Sequence, residues 1–450
     1  DSITLGTSVT GAVFDLNTGI DTLRLASGTN SLTTTGVESV VGGGGTDTLT
    51  LAGNGSAVTV SAIETIVGST GNDAVTLSTV VSGGSFDLGS GTDTLNLANG
   101  GNTLTVSGNI ETVVGGSGND LITVGSAVTG LTYDLGGGTA DRLTLSSAGT
   151  NTITAVGIET IQGGTSSDNI TFTAAASGIS IDLGAGSDVI NLANAANTLS
   201  LNATVETVVG GTLTDAITLT TAVTGGVYQL GSGTDSLTLT STAANSLTAS
   251  DIENITGANG DDTIALGSTI TGGVINLNAG NDSLTLFNGT NSLTATGIES
   301  ITGGGGDDSV TLGTAVSGGT ISLGAGSDTL TLAGGVGSTL TLDTTVETVV
   351  GSAGNDTINL SATVNSGSYD LGAGAGDRLN LAGGNNTLTL GNSIESLTAG
   401  AGNDTIVLTA GVANMRLDLG DGTDSLTLAN ASNSVTLSNV ESVTGNAGVD

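Results

Sequence analysis

Gly115-Gly116-Ser117-Gly118-Asn119-Asp120 runs directly into the apolar strand Leu121-Ile122-Thr123-Val124, and the same order of glycine turn, acidic step and apolar run recurs along the whole chain. The aspartates that end these turns are Asp1, Asp21, Asp47, Asp73, Asp93, Asp120, Asp141, Asp168, Asp188, Asp215, Asp235, Asp262, Asp282, Asp308, Asp328, Asp356, Asp377, Asp404, Asp424 and Asp450. Their spacing alternates between about 20 and about 27 residues. A fixed period of tens of residues marks a stacked repeat, in which no unit buries its apolar face until a neighbour covers it.

A second marker keeps the same beat. All ten glutamates, Glu38, Glu64, Glu111, Glu159, Glu206, Glu253, Glu299, Glu347, Glu395 and Glu441, stand in apolar-Glu-small-apolar steps such as Ile110-Glu111-Thr112-Val113, nine residues before a ladder aspartate. One unit, residues 110 to 156, reads as five short strands broken by Gly, Asn or Asp, and no stretch shows helical periodicity. The interval from Glu38 to Glu64 is 26 residues instead of 46 to 48, as if one coil had been dropped. Loss of a whole coil keeps the stack in register, whereas loss of part of one ruins it. The expected fold is therefore all-β, a right-handed-type parallel β-solenoid of the β-roll or β-helix kind. Its repeat of about 47 residues is built from two coils of about 20 and 27. One continuous solenoid over residues 1–450, an interior piece of a larger polypeptide, is the expected organisation, since the chain opens on Asp1 without a leader and neither end shows a polar capping unit.

Composition agrees with a thin core. The chain has 77 glycines, no proline and only 2% aromatics, so Val, Ile, Leu and Ala must fill the interior. In Asp93-Thr94-Leu95-Asn96-Leu97 the aliphatics alternate inward and the small polar residues outward. The net charge is −37, with four arginines and no lysine, which leaves no basic patch for nucleic acid. There is no cysteine for disulfides or thiolate metal sites, and no apolar run long enough to span a membrane.

The turn resembles the nonapeptide of the calcium-binding repeats-in-toxin (RTX) proteins, Gly-Gly-x-Gly-x-Asp-x-apolar-x. Gly115 to Thr123, Gly303 to Thr311 and Gly42 to Thr50 are close copies, and Leu183-Gly184-Ala185-Gly186-Ser187-Asp188-Val189-Ile190-Asn191 is a shorter version. The resemblance implies multiple Ca²⁺ ions held between coils by turn carbonyls and by the eighteen aspartates from Asp21 to Asp424. The chain departs from that pattern in its spacing, and the turns before Asp168 and Asp215 lack the third glycine. Charge supports the expectation independently: aspartates stacked about 5 Å apart repel by about 3 kcal/mol per pair at an effective dielectric near 20. The competing role is capping, in which each Asp bonds backbone N–H groups of its own turn. For the glutamates the alternatives are N–H acceptance at a bend and a second cation site. Asn30, Asn102, Asn151, Asn197, Asn245, Asn291, Asn386 and Asn433, eight or nine residues before most glutamates, form an expected inward ladder that saturates turn amides.

Together these features predict an extracellular, cell-surface structural protein without catalysis: a surface-layer, matrix-filament or adhesin-stalk element whose partners are calcium ions and more copies of the same repeat, head to tail or in a lattice. The alternatives are an ice-binding or a polysaccharide-acting β-solenoid. The second lacks support, because the chain has no His, Lys or Cys and only seven aromatics. The first needs uniform outward threonine rows, whereas the outward pairs after the aspartates are Thr48/Thr50, Thr94/Asn96, Arg142/Thr144, Val189/Asn191 and Thr405/Val407.

Overall fold

Short strands rich in Val, Ile, Leu and Thr alternate with glycine turns throughout the computed structural model, which describes residues 1–448. The chain forms two units, Asp1–Thr218 and Leu219 onward.

In the first unit the strands Ser2–Thr4, Thr22–Arg24, Ser39–Val41 and Ala57–Ser61 pair in succession, all parallel, to begin one sheet. The strands between them, Thr10–Asp15, Asn30–Thr35, Asp47–Leu51 and Thr65–Ser69, begin a second parallel sheet. Each strand thus pairs with the next but one, and one coil consists of two strands and two turns. The second unit is built in the same way. Thr224–Gln229, Ser246–Ser250 and Thr263–Leu266 follow one another in one sheet, and Ser236–Leu239, Asn254–Thr256 and Thr271–Asn276 in the other. The parallel β-solenoid expected from the repeat is what each unit forms.

The partition of the repeat into coils differs from the expectation. Thr112–Val114, Leu121–Val124, Thr129–Asp134, Arg142–Thr144 and Asn151–Val156 are the five strands of one repeat, and Thr160–Gly164 opens the next. Five strands at two per coil make two and a half coils, so the 20-residue segment is one coil and the 27-residue segment is one and a half. The reason is closure. Two short strands and two turns use about 17 to 22 residues, and 27 residues overshoot one circuit by a strand. Consecutive repeats therefore start on opposite sheets: the strand after Glu111 lies in one, and the strand after Glu159 in the other. The short repeat fits this geometry. Between Glu38 and Glu64 there are three strands in place of five, so exactly one coil is missing, and Asn30 still faces Asp47 while Thr48 faces Thr65.

The core lies between the two sheets. In Asp47–Leu51 the residues Asp47, Leu49 and Leu51 are buried and Thr48 and Thr50 are partly exposed. Tyr133 and Tyr228 occupy inward positions and are fully buried, so they act as large core residues. Outside, register creates a row that strand-by-strand comparison hides: Ser31, Thr48, Thr65, Ser85, Thr105, Thr123 and Thr144 are successive cross-strand neighbours, seven hydroxyls in line. The turn glycines serve coil stacking. A Cβ on Gly115 would lie 2.1 Å from the Leu135 carbonyl oxygen, and one on Gly118 would lie 2.1 Å from the carbonyl carbon of Gly100. Only a residue without a side chain lets successive turns approach this closely.

Candidate metal centre

The Asp-x-apolar-x-apolar pattern puts the aspartate on the same face as the aliphatics that follow it. All eighteen aspartates from Asp21 to Asp424 are accordingly interior, none more than 2% exposed. Asp1 is exposed, with the terminal ammonium against the Asp21 carboxylate, and Asp450 lies outside the described residues.

The ladder is not one continuous stack. Aspartates 20 or 21 residues apart sit in successive coils of one column, as Asp73 with Asp93 and Asp120 with Asp141 do. Those 27 apart open strands of opposite sheets, because 27 residues is one and a half coils. Within a column the order is apolar residue, Asn, Asp, Asp, Glu, one member per coil. The column from Val81 shows the bonding. Val81 N–H donates to Asn102 Oδ1 at 3.1 Å, and the Asn102 N–H and Nδ2 donate to Asp120 Oδ1 at 2.7 and 2.8 Å. Asp120 N–H then donates to Asp141 Oδ1 at 2.6 Å, and Asp141 N–H donates to Glu159 Oε2 at 2.8 Å. Each side chain accepts the N–H of its counterpart one coil earlier. The sequence Asp262, Asp282, Glu299 in the second unit repeats the pattern at 2.7 and 2.9 Å.

The glutamates accept N–H groups, but from the aspartate of the preceding coil and not from their own bend: Asp93 to Glu111, Asp188 to Glu206 and Asp377 to Glu395 are further cases. The asparagine ladder is inward, as expected. Asn102 Nδ2 also reaches the Ala98 and Gly100 carbonyls of its own turn, both at 2.9 Å. What that ladder saturates is therefore chiefly turn carbonyls. Two serines complete the columns where no asparagine stands. Ser56 and Ser338 donate their N–H groups to Asp73 and Asp356 Oδ1, and only the spacing of eight or nine residues before Glu64 and Glu347 marks them in the sequence.

With Oδ1 occupied, Oδ2 is the oxygen available to a metal. In Asp93, Asp120, Asp141, Asp188, Asp282 and Asp377, among others, it is buried without a hydrogen-bond partner. Where it has one, the partner is a donor: Gly43 N–H to Asp47 at 3.0 Å, Ser69 N–H to Asp73 at 2.7 Å, Gly211 N–H to Asp215 at 3.3 Å. Among the described residues no three or more His, Cys, Asp or Glu side chains come together in a group that could hold a metal ion. Calcium takes about six to eight oxygens. An aspartate pair in this arrangement offers two such carboxylate oxygens, so a bound calcium would draw its remaining oxygens from elsewhere.

Stacking carboxylates has an electrostatic consequence. Burial pushes Asp141, Asp188, Asp282 and Asp377 up from 3.8 to about 6, against the lowering effect of the backbone N–H each accepts. Repulsion from the Asp below and the Glu above adds to the rise. Asp93, Asp328 and Asp424 are raised for the same reasons. All seven are the middle member of an Asp-Asp-Glu run. Asp168, first of its run, is also raised by burial, while its bonds from Asn151 pull the other way.

The outward acids are separate from this ladder. Asp87 is exposed and accepts from the Ser107 hydroxyl at 3.0 Å and from Asn109 Nδ2 at 3.2 Å. In comparison with known proteins, no protein family and no curated sequence matches this chain. No helix among the described residues is long and apolar enough to cross a membrane.

Proposed function

We propose that this chain is a structural repeat element without catalysis, a spacer of the extracellular surface-layer, matrix-filament or adhesin-stalk kind. One observation carries the reading: the interior carboxylates, the side chains that could do chemistry, are spent on holding one coil to the next, in the same order in both units. A spacer tolerates loss of whole coils, and the chain already shows one such loss between Glu38 and Glu64. Deleting residues 74–93, which joins Asp73 to Thr94 as the short repeat joins its turn to its strand, should leave a folded β-protein with a cooperative melt. A deletion variant that expresses unfolded, while wild type folds beside it, would show that coils are not interchangeable and would sink the spacer reading.

A second reading, stabilisation by calcium, is favoured by the unpartnered Oδ2 atoms of adjacent aspartates such as Asp120 and Asp141. Two buried aspartates against a partly buried glutamate call for positive charge, which either a proton or a cation can supply. Exhaustive chelation at pH 7.5, followed by circular dichroism and a thermal melt, separates the two. Capping by backbone N–H groups alone leaves the β-signal intact. Collapse on chelation, reversed by calcium and not by magnesium, assigns the counter-charge to calcium.

A further inference from the structure

Two of the four arginines meet on the outer face of the second unit. Arg378, Ser396 and Arg416 are consecutive cross-strand neighbours on the strands Arg378–Asn380, Ser396–Thr398 and Met415–Asp418. Parallel strands about 4.8 Å apart set the two arginine backbones roughly 10 Å apart, with the serine hydroxyl between them. Both arginines are exposed, and they line a cleft of about 740 Å³ with Ser396, Asn414, Glu395 and the glycine turn 374–376. Among the described residues neither guanidinium makes an ion pair or a hydrogen bond. The acids beside them keep their charge but bond neutral donors and not the guanidinium groups: Glu395 Oε2 accepts the Asp377 N–H at 2.9 Å, and Asp418 accepts Asn439 Nδ2 at 2.7 Å.

The first unit supplies an internal control. Arg142 follows Asp141 as Arg378 follows Asp377, each after a turn with one extra residue. Its row continues through Thr160 and Ser180, so no second arginine arrives, and its guanidinium is bonded to Gln162 Oε1. Thr398 stands where Gln162 would be, which leaves the Arg378 fork unfilled.

We propose that the Arg378–Ser396–Arg416 cleft binds a small oxyanion of the sulfate, phosphate or carboxylate type. Guanidinium forks present paired donors matched to the oxygens of such groups, and the hydroxyl adds another. A small free anion suits the site better than a polyanion, because the chain carries −37 overall and repels extended negative charge. At physiological salt that repulsion is screened beyond about 8 Å, a distance a small ion has no need to exceed.

Four arginines give four Nε–Hε signals in a ¹⁵N-labelled sample of the full chain, which makes the test direct. Sodium sulfate titrated at constant ionic strength against sodium chloride should shift two signals along one saturable curve, assigned to Arg378 and Arg416 by their loss in R378Q and R416Q. In R416Q the affinity reported by the Arg378 signal should fall by about tenfold or more, as expected for one lost charge-assisted contact. R142Q should bind sulfate as wild type does. Parallel drift of all four signals, no saturation, or unchanged affinity in R416Q would overturn the proposal. A response to dextran sulfate that exceeds the response to free sulfate at equal sulfate concentration would overturn the choice of a small ligand.

Discussion

The columns Asn30, Asp47, Glu64 and Asn102, Asp120, Asp141, Glu159 differ by one coil, and that coil changes the electrostatics. In the short column both Asp47 oxygens are used. Oδ1 takes the Asn30 N–H at 3.1 Å and Nδ2 at 2.7 Å, and Oδ2 takes the Gly43 N–H at 3.0 Å. In the full column a second aspartate is inserted, Asp120 and Asp141 each keep a buried oxygen without a partner, and Asp141 is pressed between two acids. The first arrangement is a satisfied cap, and the second stores repulsion. A buried carboxylate is thus stabilising or costly according to how many N–H groups it receives for each like charge it faces.

The largest effect expected from breaking this contrast is in the short column. Asp47→Ala leaves the Asn30 and Gly43 N–H groups unmatched, while Asn30 Nδ2 keeps the Ala26 and Gly28 carbonyls, and at about 1–3 kcal/mol each a loss of about 2–6 kcal/mol follows. Urea unfolding monitored by circular dichroism measures it, and a loss below about 1 kcal/mol would mean that the cap is not needed.

Asparagine substitution should act with opposite signs in the two columns. Asp141→Asn replaces a repelled carboxylate by a neutral acceptor and should gain about 1–3 kcal/mol at pH 7.5, since each pKa unit is worth about 1.4 kcal/mol. Asp47→Asn weakens charge-assisted bonds and should lose about 1 kcal/mol. The same sign for both would remove the distinction between satisfied and repelled aspartates.

The pH profile sharpens it further. Folding raises Asp141, Asp188, Asp282 and Asp377 from 3.8 to about 6. The folded chain then binds protons more tightly than the unfolded chain, so the stability these groups contribute is complete below about pH 4 and is lost as the pH rises through 6. Melting temperature in chelator should climb between pH 7.5 and 4.5. Asp141→Asn should flatten part of that slope, and a profile falling toward acid would contradict the assignment.

The smallest effect concerns Ser338, which accepts from Val316 at 3.4 Å but has no amide to reach its turn carbonyls. Ser338→Asn should add the arms that Asn102 has and gain about 1 kcal/mol. A loss on chemical denaturation would show that the site has no room for the longer side chain.

Much of this was legible in the residues. The alternation in Asp93-Thr94-Leu95-Asn96-Leu97 sets which side chains face inward, Asp93 included, and the glycines around Asp120 mark where successive turns crowd. The asparagine ladder follows from the fixed offset before each glutamate, and the dropped coil from the short interval after Glu38. All of these are local periodicities, and period two or a fixed offset survives without knowledge of the third dimension.

What tertiary structure alone decided is which distant residues became neighbours. Five strands per repeat at two per coil send each motif to alternate sheets, so the single run of aspartates in the sequence divides into columns of two, or of one at Asp47, each closed by a glutamate. The same half-coil offset aligns Ser31 through Thr144 into a row of hydroxyls, and it brings Arg416 into line with Arg378 although the two occupy different positions of the repeat. Sequence period counts residues, whereas contact depends on residues per coil, and that number is set by how two strands and two turns close on themselves.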